Sequence, residues 1–418
     1  MRVIALIDGE HHPQVVRDAL DRLAGQHEIV SVLFLGGEEK VPATVLAEPR
    51  AHYGREVAIG RGLPEVDADA VFDLSGEPVL DLDGRLTLAA VALDRGMEYR
   101  APGLRLEPPS VERIDSPVPI VSVIGTGKRT GKTAVAGQLA MTLREHGIEP
   151  VIVSMGRGGP PEPQIVAAGE KVDRTRLLEI ARGGAHAASD YLEDAVLTGV
   201  ATIGTRRCGE GPAGEVFDSN VVEGVRLALT LEPGAIVLEG SGASVPPVAA
   251  DRTVCVTHGG REASAGLGSL RLMRADLVVL LGGTGADVAH DRVIRCELVP
   301  EPVTPVPAGA RVAVFTTARP EHAGHIRGAL ERSGLEVALI STNLARREQL
   351  ERDLEQAARS GAGVYLTELK AAAIDTVAER ADGDGMPIGW LRNRVVARAG
   401  EPELDEALWS LFATPVST

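Results

Sequence analysis

Between an apolar run at residues 119–124 and a helix-patterned stretch at 132–146, the chain reads GTGKRTGKT from Gly125 to Thr133. Strand, glycine-rich turn and helix in that order make a phosphate-binding loop. Glycines let the backbone curl until several N–H groups face one anion, and the following helix adds the positive end of its dipole. Lys132 would reach the β- and γ-phosphates of a nucleoside triphosphate, and the Thr133 hydroxyl would meet magnesium. A strict G-x-x-x-x-G-K-T pattern needs Gly where Thr126 stands; here Gly125 lies one residue earlier, which marks a variant loop. The residues expected around the nucleotide are Gly125, Thr126, Gly127, Lys128, Arg129, Thr130, Gly131, Lys132, Thr133 and Ala134. Such a loop commits the chain to a parallel sheet covered by helices.

The rest of the sequence is compatible with that commitment. Aromatic residues make up only 3% of the 418, so the cores must be built from Val, Leu, Ile and Ala. Such residues suit strands buried on both faces. Residues 2–7 and 29–35 are apolar runs with an amphipathic stretch between them, a β-α-β unit and hence a parallel pair. Residues 101–119 hold five prolines and read as a linker. Strands are predicted at 120–124, 151–154, 235–238, 253–257 and 277–281, with helices at 132–146 and 220–231. A second proline cluster, Pro300, Pro302, Pro305 and Pro307, ends this region. Beyond it, strands at 311–316, 337–341 and 363–366 alternate with helices at 346–359 and 370–381. The expected fold class is α/β: a three-layer parallel-sheet P-loop domain at 118–305, flanked by smaller α/β domains at 1–117 and 306–418.

A net charge of −16 argues against general nucleic-acid affinity. No apolar run is long enough for a membrane span, and the N-terminus has no leader pattern, so a cytoplasmic protein is expected. Cys208, Cys255 and Cys296 are too dispersed to bind a metal together and read as reduced thiols. A homodimer is left open.

Further candidates sit at predicted strand ends, where parallel sheets bind ligands. Glu239, closing the strand at 235–238, would hold the magnesium shell together with Thr133. Arg157, in the Gly- and Pro-loaded loop at 155–163, would pair bidentately with a phosphate. Arg206 and Arg207, placed in a loop, are either an anion clamp or a solvated pair. Lys128 and Arg129 cannot both face one nucleotide, so one would meet either the phosphate being transferred or a second anionic substrate. His11 and His12, after the first strand, would bind an anion or move protons; His258 and Arg261 are similarly placed. Asp190 and Glu193 read as a solvated helix face.

Taken together, Asp8-Gly9-Glu10-His11 with Pro13, GTGKRTGKTA, MGRGGPPEP at 155–163 and LEGSG at 238–242 resemble the cyclic 2,3-diphosphoglycerate synthetases across nearly the whole chain. The loop and the Glu-Gly-x-Gly strand end are also similar, more distantly, to dethiobiotin synthetase. The first resemblance implies an ATP- and magnesium-dependent ligase. It would join the two phosphates of one 2,3-bisphosphoglycerate into an internal anhydride, releasing ADP and phosphate. Lys132, Glu239, Arg157 and Lys128 are the expected catalytic residues. His11, His12, Arg157, Arg206 and Arg207 are the expected substrate contacts. Two other readings stay open: another ATP-dependent kinase or ligase acting on a small anionic acid, and a nucleotide-switched interaction ATPase.

Overall fold

The computed structural model describes residues 1–184, 187–283 and 286–413. Two sheets organise them. The first has six strands in the order Ala58–Ile59, Glu28–Phe34, Arg2–Ile7, Ala70–Asp73, Glu98–Ala101 and Leu104–Leu106. All pairs are parallel except the last, an antiparallel hairpin turning at Gly103, which has φ 75°. The stretch read as a linker from residue 101 therefore begins with a paired strand. Three residues, two of them leucines, give too little periodicity to be seen in sequence.

Arg2–Ile7 is the strand at which this sheet changes direction of growth. Glu28–Phe34 lies on one side and Ala70–Asp73 on the other. A crevice opens beyond the carboxyl end of such a strand.

The second sheet is built around the phosphate-loop strand, Ile120–Gly125, whose six residues are all buried. Ala235–Glu239 and Arg252–Thr257 flank it in parallel. Outward on one side follow Pro150–Gly156 and Ala201–Cys208, and on the other Leu277–Leu280 and Val293–Pro302. Helices cover both faces. Val121, Val123 and Val237 pack with Val135, Leu139 and Leu143 of the helix Lys132–Glu145. On the opposite face Ile120, Val153, Ile236 and Leu238 pack with Val221 and Val225. The C-terminal helix Leu404–Ala413 lies along Lys132–Glu145, with Leu408 and Leu411 in the core and Asp405 accepting from Thr142 at 3.0 Å.

The C-terminal strands do not form a separate sheet. Val293–Pro302 pairs antiparallel with Ile388–Ala397, which carries the sheet on through Val364–Glu368, Arg311–Phe315 and Glu336–Ser341. The proline cluster obscured this junction. Pro300 and Pro302 occupy the half of their strand that pairs on one side only, where a missing N–H is tolerated. The predicted helix at 370–381 is a π-helical segment, Ala373–Ala378, followed by the short helix Glu379–Gly383.

The first unit docks on the second through its helix Leu82–Asp94, whose Leu88 and Leu93 pack with Leu267 and Leu270. Cys255 and Cys296 are buried, Cys208 is exposed, and all three are free thiols. No helix among the described residues is long and apolar enough to cross a membrane.

Candidate active site

The phosphate loop is held from beneath by the neighbouring strand. Thr126 N–H donates to the Val256 carbonyl at 3.3 Å, and the Thr126 and Thr257 hydroxyls are 2.9 Å apart. His258 sets the far side of the loop, its Nε2 lying 3.1 Å from the Arg129 carbonyl and its Nδ1 3.2 Å from that of Leu281. Arg129 is left-handed at φ 62° and Gly131 at φ 96°, so the chain doubles back before the helix starts at Lys132. A side chain at Gly125 would sit 2.5 Å from the Thr130 hydroxyl and 3.2 Å from Lys132 Cδ. This early glycine therefore makes room for the lysine.

Lys132 is buried and folds over the loop, donating to the Gly127 carbonyl at 2.8 Å and to Thr130 Oγ1 at 3.3 Å. Burial lowers its amine to about 8, against the pull of Glu239. Lys128 and Arg129 are exposed at the tip, and Thr133 and Ala134 are half-buried on the first helical turn.

Glu239 ends its strand buried, accepting from Ser154 Oγ at 2.9 Å. Beside it comes a feature that sequence reasoning misread. Glu193, expected on a solvated face, is 4% exposed, and its neighbour Asp194 is 1% exposed. Their helix, Asp190–Thr198, packs on Pro150–Gly156, Ala201–Cys208 and Lys132–Glu145 at once, so little of its circumference meets water. Burial pushes the Glu193 carboxyl up, opposed by the Lys370 ammonium 3.2 Å away, and burial with the Glu239 charge pushes Asp194 well above its ordinary value. Two acids in consecutive helical positions, hemmed by Leu192 and Ala195, were the available signal.

The two arginines at 206 and 207 also need correction. They lie on the strand Ala201–Cys208, where side chains alternate between faces. Arg206 is exposed; its backbone N–H donates to Asn220 Oδ1 at 2.7 Å. Arg207 turns inward, donating to Glu210 Oε2 at 2.7 Å and to the Ser241 carbonyl at 2.8 Å. Arg157 reaches the same Glu210 oxygen at 3.6 Å. Gly242, at φ 65°, lies beneath both guanidinium groups. Arg157, Arg207 and the 239–242 turn thus form one cluster, and Arg206 is not part of it.

In the first unit Asp8 is wholly buried at the crevice. It accepts from the N–H groups of Glu10, His11 and Gly76 and from His11 Nδ1, the last at 2.7 Å. His11 is thereby oriented with Nε2 outward. His12 has a different duty: it caps the helix Pro13–Ala24, its Nδ1 accepting from Gln14 N–H at 3.3 Å. A line of contacts joins this crevice to the phosphate loop. Gly76 precedes Asp81, the cap of helix Leu82–Asp94; Asp83 in its first turn pairs with Arg261, three residues after the His258 that holds Arg129.

The sequence matches three family models in tandem, described as the N-terminal, P-loop and C-terminal domains of cyclic 2,3-diphosphoglycerate synthetase, over residues 2–107, 120–306 and 302–394. A cyclic 2,3-diphosphoglycerate synthetase of Rubrobacter xylanophilus is 42% identical, with 98% of this chain and 97% of that one covered. This chain belongs to the cyclic 2,3-diphosphoglycerate synthetase family. Synthetases of the same name from Thermococcus gammatolerans and Methanothermus fervidus are 41% and 34% identical, covering 98% and 97% of this chain. The solved LpxK of Aquifex aeolicus in complex with ATP is far more remote, at TM-score 0.48 and 16% identity over 79% of this chain and 95% of that one. Membership explains why the loop, the 155–163 segment and the 238–242 turn occur together in one chain. It makes the protein an ATP-binding synthetase acting on a small molecule.

Proposed function

We propose that the chain closes 2,3-bisphosphoglycerate into cyclic 2,3-diphosphoglycerate at the expense of ATP, releasing ADP and phosphate. The observation that carries this reading is family membership along the full chain together with an intact phosphate loop. We assign the units as 1–117, 118–305 and 306–418, the last two sharing one sheet, and place the enzyme in the cytoplasm.

The chemistry needs two displacements. An oxygen of one substrate phosphate attacks the γ-phosphorus. The bond from that phosphorus to the β,γ-bridging oxygen breaks, and the electron pair leaves with ADP. The neighbouring phosphate then attacks the activated phosphorus, closing the anhydride and expelling the transferred group as inorganic phosphate. At neutral pH that product takes up one proton. Catalysis reduces to positioning and neutralising like charges. Lys132 and the loop N–H groups hold the β- and γ-phosphates. Arg157, with Arg207 bracing it through Glu210, and Lys128 receive the substrate phosphates. His11, aimed by Asp8, meets the substrate from the first unit.

Thr133, by its hydroxyl, and Glu239, by its buried carboxyl at the strand end, are the residues that would hold a magnesium ion. Among the described residues no three His, Cys, Asp or Glu side chains converge to hold a metal alone. That suits magnesium, which in nucleotide sites takes most of its shell from phosphate and water. When bound it would supply charge neutralisation at the β- and γ-oxygens.

A single turnover with γ-labelled ATP tests the scheme. Label should pass through a triphosphorylated acid before appearing as phosphate. Direct release of labelled phosphate with the substrate unmodified would overturn it.

A further inference from the structure

The C-terminal unit sets one lysine against the helix Asp190–Thr198, which itself packs on the phosphate-loop helix Lys132–Glu145. Leu369, Ile374, Ala378 and Trp390 pack against Leu177, Leu178, Leu192 and Ala195, seating this unit on the helices Arg174–Arg182 and Asp190–Thr198. Lys370 follows Leu369 directly. Its ammonium lies 3.2 Å from Glu193 Oε1, a carboxylate buried in the core side of its helix. Yet 39% of the Lys370 side chain remains open to solvent. The ammonium is thus held at its tip by a fixed carboxylate, while part of the side chain stays open to solvent.

Its electrostatic company is that of the nucleotide site. Burial works against its charge, and Glu193, Glu368, Asp190 and Glu239 together more than reverse this, so Lys370 stays protonated. The same Glu239 and Asp190 act on Lys132, which also feels Lys370 directly. Two lysines from different units thus share the field of one group of acids.

We propose that Lys370 is a catalytic cation for phosphoryl transfer, supplied by the C-terminal unit, which leaves Glu193 to contact the γ-phosphoryl group as it moves between ADP and the acceptor. Neutralising charge that develops only in transit raises turnover more than nucleotide affinity. The role rests on the ATP-dependent chemistry proposed above and not on which acceptor is used. It also gives the shared sheet a purpose, since the sheet fixes the unit that carries Lys370 relative to the loop that carries Lys132.

The test uses the full chain with ADP formation as readout. Lys370→Gln should lower kcat about 100-fold or more, while affinity for a non-hydrolysable ATP analogue stays within about threefold. Lys370→Arg should recover part of the rate. Removing one partner of this pair leaves Glu193 without its cation and can weaken the fold. The double variant Lys370→Gln, Glu193→Gln removes both charges, and should restore the melting temperature but not turnover. Turnover restored in the double variant, kcat within threefold of wild type in the single one, or a rise in KM for ATP alone would overturn the proposal. Wild-type ADP formation without cyclic product would sink the acceptor assignment instead and leave the Lys370 comparison intact.

Discussion

Replacing Gly242 by Ala separates the arginine cluster from the fold that carries it. Gly242 has φ 65°, where an alanine costs about 1 kcal/mol relative to glycine. Its new methyl would lie 2.4 Å from Arg157 Nη2, 2.5 Å from Glu210 Oε2 and 2.8 Å from Arg207 Nη2. All three are the ends of flexible side chains, so they move and the backbone does not. Regaining ordinary contact shifts the Arg157 tip by about 1 Å, enough for roughly a 100-fold loss when it orients a reacting group. Stability should therefore fall by about 1–2 kcal/mol, and kcat/KM for 2,3-bisphosphoglycerate by about 100-fold, with ATP-analogue affinity unchanged. Steady-state kinetics, calorimetric binding and a thermal melt separate the three effects. A variant with wild-type kcat/KM for the acid would refute the idea that Arg157 and Arg207 receive it.

Other outcomes follow from the same geometry. Lys132→Ala should reduce ATP affinity in calorimetry by at least about tenfold, since a charge-assisted contact to phosphate is lost. Arg157→Ala should raise KM for the phosphorylated acid at least about tenfold, whereas Arg206→Ala, on the exposed face of its strand, should change it by less than about twofold. Gly204→Ala brings a methyl within 2.6 Å of the Tyr191 ring and should cost about 1–3 kcal/mol in denaturant unfolding, by forcing the helix Asp190–Thr198 away from the sheet. Chelating divalent metal should abolish turnover, and added magnesium should restore it.

Much of this was legible because the phosphate loop and the buried strands are local features. A run such as Val-Ile-Val beside a glycine-rich turn has few alternatives, and the strands at 120–125, 150–156 and 235–239 appeared where expected. What sequence could not convey was lateral order. Nothing local to Val293–Pro302 says that its partner is Ile388–Ala397, about a hundred residues later, and its prolines suggested a break. The site divided in the same way. Lys132, Thr133 and Glu239 announce themselves by motif, whereas Glu193, Asp194, Glu210 and Lys370 matter only through where the fold brings them. Arg206 and Arg207 look equivalent in a string and become opposites once a strand sends them to different faces.

Phosphorus NMR of the purified chain with ATP, magnesium and 2,3-bisphosphoglycerate meets the central claim most directly. Closure of the ring should convert the two monoester signals into a pair of coupled anhydride signals, one product molecule appearing per ADP and per phosphate. Monoester signals that stay unchanged while ATP is consumed, or while it is left untouched, would contradict the account.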